Sequence, residues 1–273
     1  MSTILKEELR RAFHTWRWWL VAVLALATLA IGWLNTGGIL FNPSAGPISA
    51  TGLWMVVLYY SHYVYLAPLL AALPCADSLV NDRQQGFLTH IAVRCPYPHF
   101  LRARILANAL AGAAAVAGPA VLLFLFSWLA APGGLGGQSF FGIVSTIPES
   151  ISVPLAWIYS LPPLLMALAL LAWMALFGAV YASLGLAAGA LLDHPQIALA
   201  APFAGFAVAD YIVERSVRLS FLAPPGATLL PFAYSEITLG QIAFQLGALL
   251  LAALVVIRIF ADKWRSLSAA VAH

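Results

Sequence analysis

The chain alternates between long apolar runs that are almost free of charge and short patches rich in Lys and Arg. Eleven of the thirteen Lys and Arg residues lie in three patches, at residues 6–17, 83–104 and 258–265. About 20 apolar residues are enough to cross the ~30 Å hydrocarbon layer of a membrane, and cytoplasmic flanks of membrane spans hold excess Lys and Arg. The pattern therefore predicts a polytopic membrane protein with both termini and one sizeable loop in the cytoplasm.

The composition supports a membrane protein over a soluble one. Of the 273 residues, 63% are hydrophobic and 8% are charged, whereas about a quarter of an average soluble domain is charged. The net positive charge of the chain lies in the three basic patches, because the rest of the chain has more acidic than basic residues. We therefore interpret it as a sign of topology and expect no nucleic-acid partner.

The apolar runs predict an all-α chain with six transmembrane helices in a single membrane domain, residues 1–273. An even number of spans returns the chain to its starting side, which agrees with the charge pattern. Of the Lys and Arg residues, only Arg215 and Arg218 then fall in an outside segment. The predicted spans are residues 18–34, 53–73, 105–129, 161–192, 196–212 and 241–260.

The fourth and fifth apolar runs depart from the ordinary length of a span. The fourth would reach about 48 Å as one continuous helix, so it must tilt, break or project beyond the bilayer. Gly178, Gly185 and Gly189 allow either a bend or a close contact between helices. The fifth run is short and contains Pro202, which predicts a kinked or broken helix.

The residues before the first span have the pattern of a separate amphipathic helix. Its basic side chains occupy other faces than its apolar ones, and its tryptophans suit the headgroup layer of a bilayer. We expect residues 1–17 to form an elbow helix along the cytoplasmic membrane surface; a cleaved signal peptide is the alternative. The apolar positions are Leu5, Leu9, Ala12, Phe13 and Trp16.

Residues 211–240 form a predicted extracellular segment that mixes charged and apolar residues around a turn signal at residues 224–226. The apolar content predicts short re-entrant helices, which a membrane tolerates only where protein covers their backbone. Asp210, just before this segment, is expected to be solvated or paired.

The sequence carries no nucleotide-binding motif. A P-loop needs a Lys directly after a Gly, and neither Lys6 nor Lys263 follows a glycine. Zinc-protease and serine-nucleophile motifs are missing as well, and Cys75 and Cys95 lack partners at metal-ligand spacing. We therefore expect no enzymatic activity and no cofactor or metal in this chain, so any ATP hydrolysis must come from another chain.

The most polar stretch within a predicted span surrounds His62 in the second span. Tyr59, His62 and Tyr63 follow the i, i+3, i+4 spacing of one helical face. Ionisable groups inside a membrane are costly and often mark a pathway, so these three residues are candidates for lining a substrate path. A neutral histidine that is hydrogen-bonded to a neighbouring helix is the alternative.

The predicted cytoplasmic loop at residues 74–104 carries the most informative pattern. A polar helix leaves the second span and ends at Gly86, a natural C-terminal cap, and a second short helix ends before Pro96. Such mixed polar and apolar turns offer a docking surface to a soluble partner; an ordinary solvated loop is the alternative. The candidate docking residues are Asp82, Arg83, Gly86, Phe87, Thr89 and Arg94.

The layout and this loop resemble the permease subunits of ABC-2-type exporters, most of all small bacterial permeases of peptide or drug exporters. That family has an elbow helix, six spans and a first cytoplasmic loop with acidic, glycine, aromatic, proline and basic positions in order. Gln84 and Gln85 stand here in place of the usual Glu before the glycine. The matching residues are Asp82, Gly86, Phe87, Arg94, Pro96, Phe100 and Arg104.

The resemblance implies an exporter in a bacterial inner membrane. It implies two permease copies, identical or related, each docked to a cytoplasmic ABC ATPase that binds ATP and Mg²⁺ and pushes on the loop. It also implies that the second and fifth spans line the central interface near Tyr59, His62 and Tyr63, and that the segment before the sixth span forms an extracellular gate. The uncharged, aromatic midspan stretch favours amphipathic or apolar cargo, such as a peptide, a drug or a lipid-like molecule.

Two other classes of function stay open on the sequence. A non-transporting coupler or scaffold predicts a sealed interface and a structured outer surface around residues 130–154. A membrane-embedded enzyme predicts acid and base residues clustered at one depth, and the sequence offers few of them. A transporter predicts a continuous path past Tyr59 and His62 at a dimer interface, and we favour it on the resemblance.

Overall fold

The computed structural model describes residues 2–40, 47–87, 97–136, 161–215, 222, 224–231 and 237–271. Within these residues the regular elements are α-helices, which confirms the predicted all-α class. We number ten of them in chain order: α1 Ser2–Phe13, α2 Arg17–Leu40, α3 Ala50–Tyr60, α4 Tyr63–Ala72, α5 Ser78–Gln84, α6 Tyr97–Ala130, α7 Pro163–Leu192, α8 Pro195–Arg215, α9 Pro225–Leu229 and α10 Leu239–Val271.

Five of the described helices are long and apolar enough to cross a membrane. The qualifying stretches are Arg17–Gly37, His99–Ala130, Pro163–Leu192, Pro195–Val213 and Gly240–Ile259. α3 and α4 pass the same test only as a pair, and they meet at a bend of 81°. By length and composition the described chain thus has the helices of a membrane protein, five in number, or six where the bent pair is one span.

The second predicted span is not one continuous helix, because the chain turns at Ser61 and His62. His62 has the left-handed backbone conformation, with φ 54° and ψ 22°, directly before α4 begins, and a non-glycine residue in that conformation interrupts a helix. Ser61 Oγ stabilises the turn by donating to Leu58 O at 2.8 Å and accepting from Tyr63 N at 3.2 Å. The predicted span over residues 53–73 is therefore two helices that meet at a bend rather than one straight helix.

α7 is the central helix of the described structure, and α4, α6, α8 and α10 pack against it. It runs for 30 residues, which is about 45 Å at 1.5 Å per residue. Its buried face joins one apolar core with α3, α4 and α6, and this core includes Trp54, Tyr63 and Phe177. The polar atom of Trp54 is satisfied inside the core, because its Nε1 donates to Ala120 O at 2.9 Å.

The glycines of α7 lie at close contacts between helices. A Cβ atom added at Gly185 would come within 2.8 Å of Ala198 O. One added at Gly189 would come within 2.9 Å of Val80 Cγ2, and Gly178 lies directly against the backbone of Gly112 in α6. Of the two uses that the sequence allows for these glycines, close approach of helices is the one observed.

Pro202 lies inside α8, which runs as one helix from Pro195 to Arg215. Of the predicted kink or break, the break does not occur, and the helix is longer than expected. A proline inside a helix leaves the carbonyl four residues earlier without its usual donor. That carbonyl belongs to Ala198 and faces Gly185 of α7. Gly185 has no side chain and so leaves room for this carbonyl at the contact between α7 and α8.

The predicted extracellular segment contains the short helix α9, which protein covers. Its residues are buried, Gly226 N donates to Asp210 Oδ1 at 2.9 Å, and Trp173 Nε1 donates to Thr228 O at 2.8 Å. Asp210 is 3% exposed. It is therefore a buried acceptor that holds the start of α9. Of the two expectations for Asp210, solvated or paired, solvation is wrong, and the partner observed is a backbone N–H.

Candidate functional site

A buried ionic cluster joins α1, α5 and α6. It consists of Glu8 and Arg11 from α1, Asp82 from α5 and Arg104 from α6, and we call these four residues the junction cluster. Glu8 is 5% exposed, and Asp82 and Arg104 are each 3% exposed. Buried charges of this kind occur in proteins only where they are paired, so the partners of each group decide what the cluster does.

Arg104 bridges the two carboxylates of the junction cluster. Its Nε lies 2.7 Å from Glu8 Oε2 as a close ion pair without the alignment of a hydrogen bond, and its Nη2 pairs with Asp82 Oδ2. Arg11 reaches Asp82 with both Nη atoms, at 2.8 Å and 3.3 Å. Two carboxylates and two guanidinium groups leave the cluster without net charge, and each buried ion has an opposite charge beside it.

The pKa of Glu8 is shifted by its buried position in the cluster. Burial raises the pKa of Glu8 above its ordinary value of 4.5, while Arg104 and Arg11 lower it and Asp82 raises it further. The loss of hydration on burial therefore raises the pKa of Glu8 by more than the attraction of the two arginines lowers it. Removing either arginine would leave a carboxylate that binds a proton still more readily.

A second buried ion pair lies beside the junction cluster. Arg17, the first residue of α2, contacts both carboxylate oxygens of Asp77, with Nη2 at 2.7 Å from Oδ2. Asn81 Nδ2 donates to the same Oδ2 at 2.8 Å. A two-pronged arginine–carboxylate contact fixes orientation as well as distance. Together with the junction cluster, it ties the turn between α1 and α2 to the start of the predicted docking loop.

α5 is also tied to the turn between α7 and α8. Arg83 Nη1 lies 3.4 Å from Asp193 Oδ1, and Gln84 Nε2 donates to Asp193 O at 3.1 Å. Asp193 ends α7 in the left-handed conformation, with φ 51°. The seven residues of α5 are thus held by α1 and α6 on one side and by the α7–α8 turn on the other.

Two of the predicted docking residues are engaged inside the chain. Asp82 faces inward, and its carboxylate is shared by Arg11 and Arg104. Arg83 pairs with Asp193. The structure therefore gives both residues a role in holding α5 in place.

The remaining docking residues follow α5. Gly86 has φ 70°, which confirms the prediction that the polar helix ends there. Phe87 is 41% exposed, and the guanidinium carbon of Arg11 lies 5.1 Å from the centre of its ring. Thr89 and Arg94 lie outside the described residues, as does the second short helix predicted before residue 96.

The three predicted path residues are separated by the bend between α3 and α4. Tyr63 is fully buried, and its hydroxyl donates to Val116 O at 2.8 Å. Tyr59 is 43% exposed and His62 is exposed, so the prediction that all three share one helical face is wrong. Tyr65, rather than Tyr63, is exposed together with Tyr59 and His62. Within the described part of the chain, the imidazole of His62 makes no hydrogen bond to a neighbouring helix.

Sequence reasoning does not single out Glu8, Arg11, Arg17 or Asp77 as site residues. The one local signal is the i, i+3 spacing of Glu8 and Arg11 on one helix. The partners that matter lie 71 positions apart for Arg11 and Asp82, and 60 positions apart for Arg17 and Asp77. Such pairs become visible only when the helices are packed.

Cys75 lies beside the ionic site as a buried thiol. Its Sγ donates to Asn108 Oδ1 at 3.2 Å, and burial raises the pKa of Cys75 to about 12. Among the described residues, no three His, Cys, Asp or Glu side chains lie together as a metal site requires. Cys75 therefore packs as an apolar residue, between α1 and α6 in the cluster that it forms with Ala12, Ala107 and Ala111.

We expect Cys75 to resist alkylation in the folded protein. A pKa near 12 leaves roughly a thousandfold less thiolate than an ordinary cysteine has at neutral pH, and burial blocks access. In a Cys95→Ser variant, Cys75 is the only thiol, so labelling by a soluble maleimide can be followed by mass. Labelling should be slow in mild detergent and complete after unfolding in dodecyl sulfate. Fast labelling before unfolding would contradict the buried position.

Comparison of the chain with protein-family models, with curated proteins and with solved structures gives no match. The resemblance to ABC-2 permeases thus rests on the loop residues and the order of the helices.

Proposed function

We propose that this chain is the transmembrane subunit of an ATP-driven exporter of the ABC-2 type. In this proposal α1 is the elbow helix, the bent pair α3–α4 is the second of six spans, α9 belongs to a re-entrant extracellular segment, and both termini face the cytoplasm of a bacterium. Two copies assemble in the inner membrane, and each binds a separate ATPase that holds ATP and Mg²⁺. The cargo is amphipathic or apolar, such as a peptide, a drug or a lipid-like molecule.

The way in which α5 is held supports this function best. Mechanical coupling between an ATPase and the spans can be carried by packed side chains and ion-pair networks that join rigid helices. α5 is joined to α1 and α6 through the junction cluster, and to the α7–α8 turn through Arg83 and Gln84. A push on the loop that follows Gly86 would therefore displace α1, α6, α7 and α8 together.

Phe87 is the described residue that we assign to contact with the ATPase. It follows the cap of α5, it is exposed, and Arg11 lies over its ring. A partner that covers Phe87 would thereby touch the edge of the junction cluster. Aromatic side chains dominate the binding energy of many protein interfaces. We assign Asp82 to transmission within the chain, because its carboxylate is buried and paired.

Tyr59, His62 and Tyr65 support an interface with a second permease copy. Polar side chains in a membrane span face protein or a water-filled cavity rather than lipid, and these three are exposed on the single chain. α8 lies beside them, with the rings of Tyr65 and Phe206 6.2 Å apart. We place the cargo path between two such surfaces, with His62 at the bend of the span.

A non-transporting coupler is the second candidate function. The buried Tyr63 favours it, because the hydroxyl bound to Val116 O closes the inner side of the bend. A coupler would use the same ATPase and the same α5 contacts but would move no cargo. The two functions differ in whether vesicles that contain the complex accumulate a labelled amphipathic compound when ATP is supplied.

The first test is purification of the tagged chain in mild detergent. We expect an ATPase to co-purify in stoichiometric amount. We expect Phe87→Ala to weaken its binding about thirtyfold, because truncating a central aromatic anchor of an interface costs about 2 kcal/mol. Phe203→Ala is the matched control, since it removes an exposed phenyl ring from α8. ATPase activity of the pulled-down fraction measures the binding.

Two results would count against the proposal. A chain that purifies alone, with no ATPase activity, would remove the exporter and the coupler together. An ATPase that binds Phe87→Ala as tightly as the unchanged chain would remove Phe87 from the contact. Among complexes that do bind an ATPase, transport that His62→Ala leaves unchanged for every cargo would remove the proposed path.

A further inference from the structure

A long apolar groove of about 970 Å³ separates α2 from α6. Along α2 its lining extends from Trp18 to Leu34, a rise of about 24 Å at 1.5 Å per residue. This length covers most of the ~30 Å hydrocarbon layer of a bilayer. All of the side chains that line the groove are apolar, so its natural occupant is hydrocarbon.

Small residues open the groove, and aromatic residues join the two helices at its far end. Ala25 of α2 and Gly118 of α6 both line the groove, and a Cβ atom added at Gly118 would meet nothing within 4 Å. At the far end, Trp33 and Phe126 meet edge to face with ring centres 5.0 Å apart. A narrow space of this length suits a flexible chain better than a compact molecule.

The near end of the groove lies under the last turn of α1. Trp18 lines the groove, its Nε1 donates to Ala12 O at 3.0 Å, and its ring stacks on Phe13 at 5.3 Å between centres. Trp16 and Trp19 are exposed where α1 leads into α2, and tryptophan favours the headgroup layer of a bilayer. The mouth of the groove is therefore at the level where lipid headgroups lie.

A row of unneutralised basic side chains follows the outer face of α1. Lys6, Arg10 and His14 are spaced four residues apart and all are exposed, so they form one stripe along the helix. Within the described residues no carboxylate pairs with this stripe. Arg11 and Arg17, by contrast, are neutralised by Asp82 and Asp77. Glu7, three residues before Arg10, is also exposed and borders this stripe. Lys6 and Arg10 therefore leave the outer face of α1 with an excess of one positive charge, and the stripe ends at the turn before Trp18.

We propose that this elbow is a binding site for one anionic glycerophospholipid. Its phosphate lies on Arg10 and His14, with Lys6 one turn further along α1, and one acyl chain enters the groove past Trp18. A headgroup of net negative charge matches the unpaired stripe, and hydrocarbon matches the lining of the groove. The lipid and the junction cluster then hold opposite faces of α1, and the site does not depend on the exporter function.

Native mass spectrometry tests the headgroup contact. The full chain is reconstituted in vesicles of phosphatidylcholine and phosphatidylglycerol in equal amounts, extracted in mild detergent and analysed for retained lipid. We expect one phosphatidylglycerol molecule per chain. The double variant Lys6→Gln/Arg10→Gln should lose the preference for phosphatidylglycerol roughly thirtyfold, as expected for two basic side chains at a membrane surface. The control Arg102→Gln/Arg215→Gln removes two positive charges elsewhere and should keep the preference.

A second pair of variants tests the groove. Gly118→Leu places a side chain in the open space between α2 and α6 and should abolish retention of the lipid. Gly247→Leu on α10 is the control, because a Cβ atom there also meets nothing within 4 Å. Equal retention of both phospholipids, or retention that neither variant changes, would overturn the proposal. A Gly118→Leu chain that loses a dimer and keeps its lipid would assign the groove to a second copy instead.

Discussion

Replacing Arg104 by Met is expected to lower the free energy of unfolding by about 3–5 kcal/mol, the range found when one partner of a buried ion pair is removed. Arg104 is the cation that contacts both Glu8 and Asp82. Without it, two buried carboxylates face each other, and Arg11, which is partly exposed, is the cation that remains beside them. We expect α1 to detach from α5 and α6. Thermal unfolding in detergent measures the loss.

Arg102→Met is the matched control for this prediction. Arg102 lies two residues earlier on α6 but is exposed, and surface substitutions usually change stability by less than about 0.5 kcal/mol. Adding Glu8→Gln and Asp82→Asn to Arg104→Met removes both stranded carboxylates and should recover at least half of the lost stability, because no buried carboxylate is then left without a partner. The charge of Arg11, which remains, is partly exposed to solvent. An Arg104→Met chain as stable as Arg102→Met would show that the buried charges contribute little.

Gly112→Ala is expected to destabilise the protein by about 1–3 kcal/mol, the usual cost of adding a methyl group to a filled core. A Cβ atom at this position would come within 2.6 Å of Gly178 O and would also press against the side chain of Ala182. Both of those residues belong to α7, the helix against which α4, α6, α8 and α10 pack. Adding one methyl group therefore forces α6 and α7 apart along their contact.

Gly118→Ala is expected to stabilise the protein slightly, in contrast to Gly112→Ala. It lies on the same helix, six residues later, where an added Cβ atom meets nothing within 4 Å. Alanine is favoured over glycine in a helix by up to about 1 kcal/mol, so this variant should unfold at a slightly higher temperature. If Gly112→Ala were as stable as Gly118→Ala, the helices would not cross as closely as described.

The two predictions together test the contacts of α6 at two positions along its axis. Gly112 is eight residues beyond Arg104, or about 12 Å along the helix axis. Arg104 holds α1 and α5 at one end of α6, and Gly112 holds α7 further along. A variant that damages transport at either point without loss of ATPase binding would place α6 in the transmission of force, which is the role that we propose for the α5 junction.

Much of this molecule follows from its sequence because the signals are local. Long uncharged runs predict the apolar helices, since a span must satisfy its own backbone hydrogen bonds in lipid. Gly86 predicts the end of α5, since glycine adopts the left-handed conformation without strain. Both predictions depend on residues close together in the chain, and the structure confirms both.

The remaining features depend on residues that are distant in the chain, and only the tertiary structure decided them. The turn at His62 contradicts a helical pattern that is unbroken in sequence, and it is held by packing and by the hydroxyl of Ser61. Aspartate is usually a surface residue, yet Asp82 is buried and paired with two arginines. Arg11 lies 71 positions from it in the sequence, and Arg104 lies 22 positions from it. The sequence by itself determined which segments are helical and apolar, because hydrophobic burial and backbone geometry act locally. It did not determine which charges pair, because that depends on where whole helices come to lie.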